Sequence, residues 1–198
     1  MDAFSASCEF LTIPKCLAKV ARPQTSPNSC ALAVWQPPKQ GTFKVNTYAS
    51  WCKDTSSCGI AALARNDLGV LIAGTYERSY ADSSLAAEAL ALELGLKLAS
   101  SSHLSQVCLE SDSLVLINNI LNPTLAVDWS ASQILSRIWS HARFFNRINW
   151  AWTSRNVNQA ADHIVGLAER GVRMDDWIAN PPPSLLRILI YDAAGPPW

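Results

Sequence analysis

The sequence predicts an α/β fold: a mixed five-stranded sheet with helices on its faces, three antiparallel strands coming first and alternating helices and strands after them. Two observations carry this. Three strand-like segments follow one another with a turn signal between the second and third, and the rest of the chain then alternates helix-period with short apolar segments. Thr42 to Ala49 alternates, with Phe43, Val45 and Thr47 on one side and Lys44, Asn46 and Tyr48 on the other. Gly59 to Ala64 is apolar throughout and runs into the turn signal Asn66-Asp67-Leu68-Gly69, after which Val70 to Tyr80 completes a meander. Ser83 to Ser100 reads as a helix capped by Ser84, with Leu85, Ala89, Leu92 and Leu96 at helical spacing. Gln106 to Leu109 is a short buried strand. It feeds a helix that begins near Asp112, runs through Leu116, Ile117 and Ile120, and stops at Asn122-Pro123. A third helix covers Trp129 to Phe145, with Ile134, Ile138 and His141 on one stripe. Arg147 to Trp152 is the last strand, and after the loop Thr153 to Val157 a final helix runs from Asn158 to Arg170. The order is βββαβααβα.

A chain of 198 residues, 49% of them apolar, has the material for one domain with a buried core. Residues 1–34 are expected to be a flexible N-terminal segment and linker, 35–172 the folded domain, and 173–198 a proline-rich, loosely packed tail in which Leu185 to Ile190 can pack on the domain or form a short helix. Sixteen basic residues balance sixteen acidic ones, so the chain lacks a strong electrostatic handle for nucleic acid. Cys8, Cys16, Cys30, Cys52, Cys58 and Cys108 include no metal-binding spacing and are expected to be free thiols, although Cys52 and Cys58 flank a hairpin connection. No apolar run is long enough to span a membrane and no secretory leader is recognisable, which together predict an intracellular protein, nuclear or cytoplasmic.

Three acidic residues fall where strands end or helices begin: Glu88, Asp112 and Asp162. Singly, each has an ordinary structural explanation: a carboxylate favoured by a helix dipole, an N-cap, a solvated helix residue. Brought together they would repel unless a cation sat among them, and two magnesium ions about 4 Å apart sharing such ligands can cut a phosphodiester.

The strings WQPPKQGTFKVNTYAS, GIAALARNDLG, AAEALALELGLKLA, VCLESDS and RNVNQAADHIVGLA, with the closing PPPSLLRILIYDAAG, resemble the ribonuclease H type 1 domain of plant non-LTR retrotransposon-derived, reverse transcriptase-like proteins. The resemblance runs from Trp35 to Gly195. It implies a ribonuclease H-like fold, two magnesium or manganese ions, and a monomer acting on RNA–DNA hybrids or RNA. It puts three of the family's four metal-binding, catalytic carboxylates on Glu88, Asp112 and Asp162. The fourth, an aspartate that bridges both ions, is replaced by Tyr48. A tyrosine hydroxyl, neutral at working pH, cannot substitute for a bridging carboxylate, and Asp54 and Glu110 are the only nearby alternatives. Arg65 and Gly69 match the family's hairpin signature, while Arg155, Asn158 and Asp162 match R-x-x-N-x-x-A-D. Substrate contacts are expected from Asn46, Ala49 and Ser50 along the RNA strand, with Arg155 on a phosphate and Asn158 beside it.

Of the eight tryptophans, Trp139, Trp150 and Trp152 lie on apolar faces and are expected in the core, whereas Trp51 and Trp177 are the candidates for exposed rings. Three readings follow. The leading one is a ribonuclease H-like nucleic-acid-binding domain whose hydrolysis, and metal affinity, is impaired by Tyr48. The second is an active magnesium-dependent endonuclease on RNA–DNA hybrids. The third is a protein-interaction domain with no nucleic-acid role.

Overall fold

The computed structural model describes residues 34–171 and 176–194. Cys8, Cys16, Cys30 and nearly all of the expected N-terminal segment lie outside them. Among the described residues the elements are β1 (Phe43–Trp51), β2 (Ser57–Arg65), β3 (Leu71–Tyr80), α1 (Ser84–Ser101), β4 (Gln106–Ser111), α2 (Leu114–Leu121), α3 (Trp129–Ala142), β5 (Arg147–Trp152), α4 (Gln159–Glu169) and α5 (Pro183–Ala194). The predicted order holds, with α5 added.

The five strands form one mixed sheet in the order β3-β2-β1-β4-β5. β1 is antiparallel to β2 and β2 to β3, while β4 runs parallel to both β1 and β5. Central β1 is buried from Lys44 to Ala49 even though its sequence alternates, because helices cover both faces of the sheet. On one face Val45, Ile60, Ala62 and Leu109 pack with residues of α1, α2 and α3; on the other, Tyr48, Ala61 and Leu63 pack with residues of α4 and α5.

Two glycines permit close helix–strand approach. A Cβ on Gly95 would lie 2.7 Å from a Thr47 methyl, and one on Gly59 would lie 2.8 Å from a Val165 methyl. Gly95 therefore sets how deeply α1 sits on β1, and Glu88 stands two turns earlier on that helix.

Local details differ from expectation. Ser83, not Ser84, caps α1 by accepting a hydrogen bond from the Ala86 N–H. Ser113, not Asp112, caps α2 by accepting from the Leu116 N–H. β4 extends to Ser111, because its pairing with β1 and β5 continues through that residue. Cys52, Cys58 and Cys108 are free thiols.

Within the expected tail, residues 176–194 pack on the domain, with Leu185 to Ile190 in a helix. Leu185 and Leu189 of α5 are buried, and Trp177 fills the space left by Gly74, where any Cβ would collide with the indole. A buried polar network ties this helix to the sheet. The Arg65 guanidinium donates to Asp192 Oδ2 at 2.6 Å and to Asn46 Oδ1 at 2.8 Å, and it stacks 3.6 Å over the Trp35 ring. Asn46 also accepts from the Trp35 indole N–H and donates to Glu110, whose other oxygen pairs with Lys44 at 2.7 Å. The chain just before β1, two strands of the meander, β4 and α5 thus meet through one set of buried side chains.

Candidate active site

Parallel pairing of β1 with β4 brings the C-terminal ends of these strands to the same edge of the sheet. Tyr48 lies near the end of β1, on the face that packs with α4. Asp112 directly follows β4, and Asp162 sits in the first turn of α4. The loop between β5 and α4 is pinned at both ends. The Thr153 N–H donates to the Ser111 carbonyl, and the Asn158 amide donates to the Thr47 carbonyl at 2.8 Å. Glu88 reaches the same place from α1, its carboxyl beside the backbone of Ala49. Glu88, Asp112 and Asp162 thus stand at one edge of the sheet, with the charge of Asp112 acting on Glu88 and that of Asp162 on Asp112.

Burial, more than mutual charge, governs the protonation of Glu88, Asp112 and Tyr48. Burial pushes Glu88 up to about 8, with the charge of Asp112 adding to the shift. Asp112 is also raised, again mainly by burial and further by Asp162. Tyr48 is pushed well above its ordinary value by burial and then by its hydrogen bond to Asp162, so it stays a neutral phenol at any working pH.

A guanidinium joins the cluster. Arg155 Nη2 donates to the Tyr48 hydroxyl and lies 3.8 Å from Asp162 Oδ1, with its central carbon 5.2 Å from the Tyr48 ring centroid. Among the described residues it is the one positive charge acting on Tyr48, Glu88 and Asp112 together.

A pair of divalent ions does not fit these residues. Glu88 Oε2 and Asp112 Oδ1 are buried without hydrogen-bond partners, as an ion's ligands would be. These two oxygens suit one ion that keeps most of its waters, but a second ion lacks its ligand because Asp162 faces Arg155. The central position holds a phenol. No group of three His, Cys, Asp or Glu among the described residues is arranged to hold a metal.

The expected substrate contacts separate into two sets. Asn46 is fully buried in the network beneath α5, which leaves its side chain no way to touch a ligand. Asn158, 1% exposed, anchors the start of α4 instead. The Ser50 hydroxyl is bonded to Glu169, and the Ala49 backbone lies beside the Glu88 carboxyl. Arg155, although engaged with Tyr48 and Asp162, keeps a side chain 69% exposed that can still reach a phosphate. Glu110 is locked to Lys44 and Asn46, and Asp54 lies in the exposed β1–β2 turn, so neither takes the place of the missing carboxylate.

Three of the aromatic expectations reverse. Trp177 is buried, and Trp51 packs inward with its indole N–H on the Ala81 carbonyl. Trp152 is 44% exposed at the end of an edge strand, donating to the backbone carbonyl of Asp112 at 3.0 Å. Periodicity marks it as apolar; only its place on an edge strand puts it at the rim of the site.

The profile of the reverse transcriptase-like family matches residues 46–168, more than half of the chain and all of the site. This chain belongs to the reverse transcriptase-like family. No curated protein matches it in sequence. Solved structures similar to this reverse transcriptase-like chain include RNase H1 from the halophilic archaeon Halobacterium salinarum, at a TM-score of 0.62 and 15% identity over 66% of this chain and 98% of that one. The N-terminal RNase H domain of a Mycobacterium tuberculosis protein is similar at 0.60 and 17% identity, covering 66% and 95%. LC11-RNase H1 in complex with an RNA/DNA hybrid is similar at 0.59 and 12% identity, covering 66% and 99%. At such identities the likeness is one of fold, and the fold is ribonuclease H-like. Those structures are matched almost end to end by two thirds of this chain.

Proposed function

We propose that this ribonuclease H-like domain binds RNA–DNA hybrid or RNA, acts as a monomer, and has lost efficient hydrolysis because Tyr48 stands where the family places its bridging aspartate. The observation that carries this reading is the Arg155 guanidinium bonded to the Tyr48 hydroxyl among Glu88, Asp112 and Asp162. A neutral phenol and a guanidinium supply no anionic bridge between two ions, and hydrolysis by paired ions depends on one. Binding needs less: an exposed Arg155 for a phosphate and the exposed edge of Trp152 for sugar or base are consistent with a weak, salt-sensitive contact. A hybrid is the bound species of one structural relative, which makes it the first ligand to try.

A second reading, an active magnesium-dependent endonuclease, draws on the unpartnered oxygens of Glu88 and Asp112. Cleavage of a labelled RNA–DNA hybrid in magnesium and in manganese separates the two. The proposal expects no product from the natural chain and measurable product from Tyr48→Asp. Cleavage by the natural chain would establish the second reading.

A further inference from the structure

We infer that Arg155 is the resident cation of the carboxylate cluster, held where a divalent ion would otherwise be drawn and competing with it. This rests on the same reading of the cluster as the proposed function, but it concerns ion affinity rather than cleavage.

Converging carboxylates need a positive charge nearby, and the chain supplies its own. The backbone around Arg155 is fixed: the Val157 and Asn158 N–H groups both bond back to the Ser154 carbonyl, and the Asn158 side chain ties the turn to β1. From that base the guanidinium contacts Tyr48 and Asp162, which stand on opposite elements, and its charge reaches Glu88 and Asp112 as well. An aspartate at position 48 would add a further negative charge beside Asp112 and Asp162, more than one guanidinium can offset. With tyrosine there, Arg155 bonds the hydroxyl and a single cation offsets much of the remaining charge. Tyr48 and Arg155 thus act as a pair. The first removes the ligand, and the second removes much of the electrostatic demand for a metal. Glu88 Oε2 and Asp112 Oδ1 keep the unpartnered oxygens that would receive an ion once the guanidinium is gone.

A unit charge roughly 5 Å from a divalent ion, in a medium close to water in dielectric, shifts its binding by about tenfold. The test is manganese binding to the full chain, read by water-proton relaxation and by thermal shift, for the natural protein, Arg155→Gln and Arg155→Lys. Arg155 is largely exposed, so both variants should fold. Arg155→Gln is expected to bind manganese at least about tenfold more tightly than the natural chain. Arg155→Lys, which keeps the charge, should stay close to natural. A smaller gain in Arg155→Gln, or an equal gain in Arg155→Lys, overturns the inference whatever the cleavage assay shows. Conversely, hybrid cleavage by the natural chain overturns the functional proposal and leaves this comparison standing.

Discussion

Replacing Asp192 by alanine tests whether α5 is part of the domain. Arg65 and Asp192 pair at 2.6 Å with side chains 1% and 7% exposed, so removing the carboxylate strands a guanidinium in the interior. Only the Asn46 oxygen and the face of Trp35 would remain to it. Burial already pushes both partners toward their neutral forms, lowering Arg65 and raising Asp192, so the pair offsets a desolvation cost that a lone Arg65 could not. Breaking such a pair costs about 3–5 kcal/mol. For a domain of this size that corresponds to a melting temperature lower by roughly 10 °C. Urea unfolding of Asp192→Ala measures it. The double variant Arg65→Met with Asp192→Leu should recover most of the loss, because no charge is then left unpaired. A loss below about 1 kcal/mol in Asp192→Ala would refute the reasoning and place α5 among surface elements held by little more than an exposed ion pair.

Two further outcomes follow from the site and its support. The folded-state value of Glu88 lies above its ordinary 4.5, at about 8. The stability it contributes is therefore complete below about pH 4.5 and is lost as the pH rises through about 8, a fall of at most ~5 kcal/mol. Glu88→Gln should flatten that part of the stability profile measured by urea unfolding at pH 5 and pH 9; an unchanged slope would show that Glu88 is not held protonated. At Gly95, a valine side chain must displace Thr47 or lift α1, since even its Cβ would sit 2.7 Å from a Thr47 methyl. Gly95→Val should destabilise by about 1–3 kcal/mol in chemical denaturation, and a neutral result would mean that α1 is free to shift on the sheet.

Element order was legible in the sequence, because alternation, helical spacing and turn residues act over a few neighbours. So were the three carboxylates as candidates, although only the packing of α1 and α4 on the sheet brings Glu88 and Asp162 to the edge where Asp112 stands. Tyr48 stood out there too, since its chemistry is that of a single residue in a recognisable string. The caps on Ser83 and Ser113 were each one residue away from where the pattern suggested, because a serine or aspartate beside a helix start is equally plausible until its backbone angle is known.

What tertiary structure decided was which polar groups meet. Arg65 and Asp192 are 127 residues apart, Tyr48 and Arg155 are 107 apart, and no local rule pairs them. Asn46 reads as a substrate contact until Trp35, Arg65 and Glu110 close around it. Trp152 and Trp177 have the same affinity for a core, but one ends an edge strand and the other meets the bare backbone of Gly74. The sequence alone determined the elements, their order and the chemistry available at the sheet edge. Folding determined burial and partnership, because these depend on which distant surfaces arrive at the same place.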